Sequence, residues 1–166
     1  PCFGMLAGVG DGLLHQAIDH QLGAGSQLDG LHRTVQLHTR AAGEGAPVLL
    51  LHGHPQSMAM WHRVAPVLAQ THRVVLMDLR GYGDSSRPEA DAAHHHHSKR
   101  EMALDALAVM KAHGFERFDV LAHDRGARVA HRLAADAPDA VKRLLLLDIA
   151  PTLAMYENTS EAFARA

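Results

Sequence analysis

The stretch VLAHDRGARVAH, residues 120–131, decides the fold. An apolar run, Val120-Leu121-Ala122, stops at His123-Asp124-Arg125-Gly126, and a helix-like pattern begins at once. A buried strand turning into a helix within one or two residues needs small side chains at the turn, because the two backbones approach closely. Ala122 and Gly126 flank Asp124 in the spacing small-x-acid-x-Gly. Such an elbow presents its middle side chain at the rim of a sheet.

Similar units recur along the chain. Val35 and Leu37 alternate with Gln36 and His38, as in a half-covered strand. VLLLHG (48–53), RVVLMDL (73–79), FDVLAH (118–123) and KRLLLLDIAP (142–151) are short continuous apolar runs, the pattern of parallel strands buried on both faces. Helical spacing separates them. Trp61, Val64, Ala65 and Leu68 make one helical face, which Pro66 must kink or split into two short pieces. Ser98 and Glu101 have capping-box spacing and open a helix that Gly114 ends; a further helix over Arg125–Ala137 stops before Pro138. Strands alternating with helices define an α/β domain with a mostly parallel sheet. Residues 1–30 read as an N-terminal extension, with an amphipathic helix expected over Leu13–Leu22, and residues 31–166 as the domain proper.

Composition narrows the function classes. With 47% hydrophobic and 20% charged residues in 166, the chain can build one real core. A net charge of −2 gives no electrostatic reason for a nucleic-acid or anionic-membrane partner, and no apolar run is long enough to span a bilayer. A single cysteine, Cys2, rules out an internal disulfide framework and suits a cytoplasmic, reducing setting. The run His94–His97, within a chain of fifteen histidines, reads as a solvated loop. His52 and His54 form an H-x-H pair, but the following residues add no further ligand, so no metal is expected.

Ligands of open α/β sheets bind at the carboxyl ends of the strands. HGHPQ (52–56), DLRGYGDSS (78–86), HDRG (123–126) and DIAPT (148–152) all fall there. Asp124, already ionised near neutral pH, can attack a saturated carbon without a base to activate it. The same aspartate also reads as an ordinary N-cap of the following helix. Arg125 and Arg128 work against the cap reading. A helix start already favours anions, and two guanidinium groups in its first turn add a clamp for a small carboxylate. Pairing of Arg128 with Asp124 or a surface acid is the plainer alternative, and Asp148 reads equally as a loop acid capping the next segment.

The segments VLLLHGHPQSMAMWHRVAP, VVLMDLRGYGDSSRP, AHDRGARVAHRLAADAPDAV and LLLLDIAPT resemble the α/β-hydrolase superfamily, and HDRGAR within them resembles the haloacetate (fluoroacetate) dehalogenases. Related haloalkane dehalogenases and many epoxide hydrolases place tryptophan where Arg125 stands. The resemblance, which runs from about Leu31 to Tyr156, implies an α/β-hydrolase fold truncated before its cap domain and last strands. It implies Asp124 as nucleophile and Asp148 as the acid that orients a catalytic histidine. Arg125 and Arg128 would bind the substrate carboxylate, and the backbone N–H groups of His54 and Arg125 would form the oxyanion hole. The family usually has an aromatic residue at the position of His54. None of the fifteen histidines aligns with the catalytic one, so the chain reads as the N-terminal portion of such an enzyme. The expected reaction is cleavage of a 2-haloacetate to glycolate and halide through an Asp ester, without a cofactor. The partners expected are a small anionic substrate and, for the full-length protein, a second copy of itself. An epoxide hydrolase, or a truncated inactive fragment, are the alternatives. The last strand, near Leu144–Leu147, should present an unpaired apolar edge.

Overall fold

The computed structural model describes residues 20–24, 35–157 and 159–160. Six strands form one sheet: β1 (His20–Ala24), β2 (Val35–Ala42), β3 (Ala46–Leu51), β4 (His72–Met77), β5 (Phe118–His123) and β6 (Val141–Leu147), in the order β1-β2-β4-β3-β5-β6. β3 pairs in parallel with β4 and β5, and β5 with β6, while β1 and β2 run antiparallel at one side. The apolar runs therefore took the central parallel positions, where both faces are covered and period-2 alternation is not needed. β2 keeps its alternation, with Val35, Leu37 and Thr39 buried and Gln36 exposed.

Two layers cover the sheet. On one face Leu49, Leu51, Val75, Met77, Val120 and Ala122 pack against α2 (Lys99–Ala112) and α3 (Arg125–Asp136), through Met102, Ala106, Val109, Val129 and Leu133. On the other, Val48, Leu50, Val74 and Leu76 pack against Met58, Trp61 and Ala65. Pro66 has split the expected helix into a 3₁₀ turn, Met58–Arg63, and a single α-helical turn, α1 (Ala65–Leu68), with Pro66 inside its first turn, where a missing N–H costs nothing. Ser98 caps α2 by accepting from the Glu101 amide. Gly114, at φ +84°, closes it: the Gly114 amide donates to the Lys111 carbonyl and the Phe115 amide to that of Met110, the two bonds of a Schellman ending. A last short helix, α4, spans Thr152–Glu157. No helix among the described residues is long and apolar enough to cross a membrane.

Two expectations need correction. Residues 20–22, placed by the sequence in a helix, belong to β1; the rest of that expected helix, residues 13–19, lies outside the described residues. The exposed backbone of β2 offers five residues a ladder, and Gly23 weakens any competing helix. The run Leu144–Leu147 is not a buried strand. β6 pairs only with β5, and while Leu144 and Leu146 pack on the core, Leu145 is 57% and Leu147 37% exposed. The unpaired apolar edge anticipated there is present among the described residues.

Candidate active site

The elbow sits at the carboxyl end of β5. Asp124 has φ +45° and ψ −113°, a conformation rare for any residue with a side chain, and its amide donates to the Leu147 carbonyl at 3.1 Å. Packing sets what may stand around it. A Cβ on Gly126 would lie 2.7 Å from the Leu51 carbonyl oxygen and closer still to that of His52. A Cβ on Gly53 would lie 2.8 Å from the Asp124 Cβ. The methyl group of Ala122, at the elbow's other small position, is accommodated and fully buried.

The Asp124 side chain does not cap α3 in the manner of an N-cap residue. It accepts from the His54 backbone N–H at 2.9 Å, and the neighbouring N–H of Arg125 also favours its charged form. Burial pushes its carboxyl upward. The two N–H groups, with the charges of His123 and Arg125, outweigh that and hold it below the ordinary carboxylate value. The HGHP segment that supplies the His54 amide is itself braced. Buried His52 donates through Nδ1 to the Gly53 carbonyl at 2.8 Å and accepts the Leu79 amide at Nε2 at 3.0 Å. Burial lowers its pKa, so it stays a neutral imidazole, and with both nitrogens engaged it has none left for a metal. The His54–Pro55 peptide is cis. His54 takes the packing role of an aromatic residue: its ring meets Tyr82 edge-on at 5.8 Å, with Nδ1 3.1 Å from the phenol oxygen.

A cleft of about 370 Å³ opens beside the elbow, lined by His54, Tyr82, Arg87, His97, Met102 and Arg125 among others. Arg125 has no ion-pair partner among the described residues. Arg128 does not line this cleft. Its guanidinium donates to Thr152 Oγ1 at 3.0 Å and meets Met155 Sδ at 3.4 Å, both neutral groups, and it has no ion-pair partner among the described residues. Arg80 reaches the cleft wall but is occupied, paired through two 2.5 Å bonds with Asp105 and donating to the His96 carbonyl at 3.0 Å. Sequence reading missed Lys99, which looked like part of a helix start only. Burial lowers its pKa, and Arg125 and Arg128 lower it further against the pull of Asp124. Positive charge at Arg125 and Lys99 near the Asp124 carboxylate favours an incoming anion. Tyr82 was also missed as an individual residue, although its loop was flagged by its place at a strand end.

Asp148 follows β6 at φ +53°, with its side chain 88% exposed. It lies ahead of α4 rather than at its cap, and its carboxylate stands 3.6 Å from His123 Nε2. His123 does not line the cleft. Among the described residues no imidazole is hydrogen-bonded to the Asp124 carboxylate. One group could bring three metal-ligand atoms together, His38, Asp78 and Asp84, in a separate pocket with Trp61 and Ala65, and there Asp78 already accepts amides from Met58 at 2.7 Å and Asp84 at 3.1 Å.

The chain belongs to the alpha/beta hydrolase fold family, whose model matches residues 46–164. It is 48% identical over 132 residues to a fluoroacetate dehalogenase of Burkholderia sp., covering 80% of this chain and 43% of that protein. It is 41% identical over 118 residues to a soluble epoxide hydrolase of Corynebacterium sp. (strain C12), covering 71% and 40%. The chain thus spans less than half the length of these curated relatives. Among solved structures, an alpha/beta hydrolase from Nostoc sp. PCC 7120 superposes with a TM-score of 0.82 at 49% identity, covering 92% of this chain and 50% of the other. An epoxide hydrolase from Pseudomonas aeruginosa does so with a TM-score of 0.80 at 41% identity, covering 92% and 48%.

Proposed function

We propose that this chain carries the nucleophile and the anion-binding part of a hydrolase that removes halide from 2-haloacetates. One Asp124 carboxylate oxygen attacks the α-carbon, the carbon–halogen bond breaks, and halide leaves with the bonding electrons. The resulting ester is cleaved by water at the Asp124 carbonyl carbon, which returns the carboxylate and releases glycolate. The N–H groups of His54 and Arg125, which favour that carboxylate's charged form, are suited to the negative oxygen of the tetrahedral intermediate. Arg125 holds the substrate carboxylate, Arg128 joins it by turning from Thr152 toward the cleft, and Asp148 orients the histidine that activates water. In the family that histidine comes from a part of the chain beyond the segments matched here.

The observation that carries this reading is the arginine directly after the nucleophile, lining the cleft with no ion-pair partner among the described residues. A neutral substrate gains nothing from it; a small carboxylate gains a charge-assisted hydrogen bond. The test is incubation with fluoroacetate and bromoacetate, with halide measured and the protein weighed intact. With fluoroacetate, which does not alkylate thiols or imidazoles unaided, the 166-residue chain alone should gain at most one carboxymethyl group, on Asp124, because no described imidazole reaches the ester. Sustained halide release by it would contradict this account. Similarity to epoxide hydrolases supports a second reading, in which the same carboxylate opens an epoxide. Turnover of styrene oxide rather than haloacetate by the full-length protein would favour that reading.

A further inference from the structure

Two buried polar atoms near the elbow lack a hydrogen-bond partner, His123 Nδ1 and Gln56 Oε1. Both face Gly53: a Cβ built there would lie 2.8 Å from the first and 2.9 Å from the second. The other ring nitrogen of His123, Nε2, is 3.6 Å from Asp148 Oδ2. In the sheet, His123 is paired with Leu147, so the two strands end side by side, each followed by an aspartate at positive φ. His123 thus stands between the carboxylates: it adjoins Asp124 in the chain and meets Asp148 in space. Asp148 is largely exposed, and its carboxylate has no other ion-pair partner among the described residues.

We propose that His123 is a positioning residue for Asp148, held from behind by Gln56. With the Nε2 proton directed to Asp148, Nδ1 carries a lone pair, and rotation of the Gln56 amide turns its NH₂ toward that lone pair. This gives His123 Nδ1 a donor and fixes the ring, since a buried nitrogen without a partner is costly. A fixed ring restrains the Asp148 carboxylate, which stands 3.6 Å from Nε2. The inference rests on the proposed function, in which Asp148 serves the hydrolysis of the ester and not its formation. His123 should therefore matter more for the second step than for the first.

The experiment uses the full-length protein, with bromoacetate as the probe. Pre-steady-state halide release reports alkylation, and intact mass over time reports ester decay, in the unsubstituted protein and in His123→Leu, His123→Gln and His123→Asn. A glutamine amide nitrogen takes the place of Nε2 and an asparagine nitrogen that of Nδ1. The expected result is that His123→Leu forms the ester within about twofold of the normal rate but hydrolyses it about tenfold more slowly, as loss of the close polar contact to Asp148 implies. His123→Gln restores hydrolysis and His123→Asn does not; that contrast stands even if the leucine variant fails to fold. Normal hydrolysis in His123→Asn, or equal slowing of both steps in His123→Gln and His123→Asn, overturns the inference while leaving the functional reading intact. Absence of any Asp124 ester in the unsubstituted protein overturns the functional reading, and this inference with it.

Discussion

The backbone N–H of His54 lies 2.9 Å from Oδ2 of Asp124, a residue seventy positions further along the chain. Two strand-end loops meet at that bond, and it ties the carboxylate to the HGHP segment across the sheet end. Substitution Asp124→Asn keeps the shape and the acceptor oxygen but removes the ionised nucleophile. Asparagine also tolerates positive φ, so the thermal midpoint should change little while halide release falls below about a thousandth of normal. An Asn variant that still forms an ester would exclude Asp124 as the attacking group.

Arg125→Met should raise KM for haloacetate, with kcat/KM falling by about ten- to a hundredfold, the worth of a charge-assisted bond. Arg125→Lys should recover only part of this, because an ammonium cannot grip a carboxylate bidentately. Steady-state kinetics with fluoroacetate or chloroacetate would check both. Equal KM in all three proteins would remove Arg125 from substrate binding.

Gly126 has no room for a methyl group between the Leu51 and His52 carbonyls. Gly126→Ala should destabilise the fold by about 1–3 kcal/mol, the range for overpacking a close contact, visible as a lower urea midpoint. A midpoint equal to that of the unsubstituted protein would mean that the elbow has slack that the geometry does not suggest.

His52 is fully buried and its pKa is lowered, first by that burial. A histidine with a depressed folded pKa takes up its proton more readily when unfolded. Its contribution to stability is therefore complete above about pH 6.5, the unperturbed value, and declines as pH falls below that. Denaturant titrations at pH 7.5, 6.5 and 5.5 should show declining stability, and His52→Asn should flatten the trend from its own lower starting point. A trend of the same slope in the variant would assign the effect elsewhere.

The buried pair Arg80–Asp105 joins the loop after β4 to α2 and holds the His96 carbonyl. Asp105→Asn leaves Arg80 charged and short of its partner, at a cost of about 3–5 kcal/mol for a broken buried pair. Thermal denaturation would register it, and an unchanged midpoint would show that water reaches Arg80 readily.

What the sequence determined by itself was local. Continuous apolar runs marked the parallel strands, Ser98 and Gly114 bounded α2, Pro66 divided a helix, and the small residues around Asp124 announced the elbow. Each depends on neighbours within a turn or a strand, where backbone sterics and periodicity act. Only the tertiary structure decided where side chains met across the sheet. It gave Arg128 the neutral partners Thr152 and Met155, drew Lys99 into the field of Arg125, and made a strand of residues 20–24. It also showed β6 to be exposed, a property of the layers packed on a strand and not of the strand's own composition. These contacts join residues tens of positions apart, and no pattern within a single element encodes which of them will come within a few ångströms.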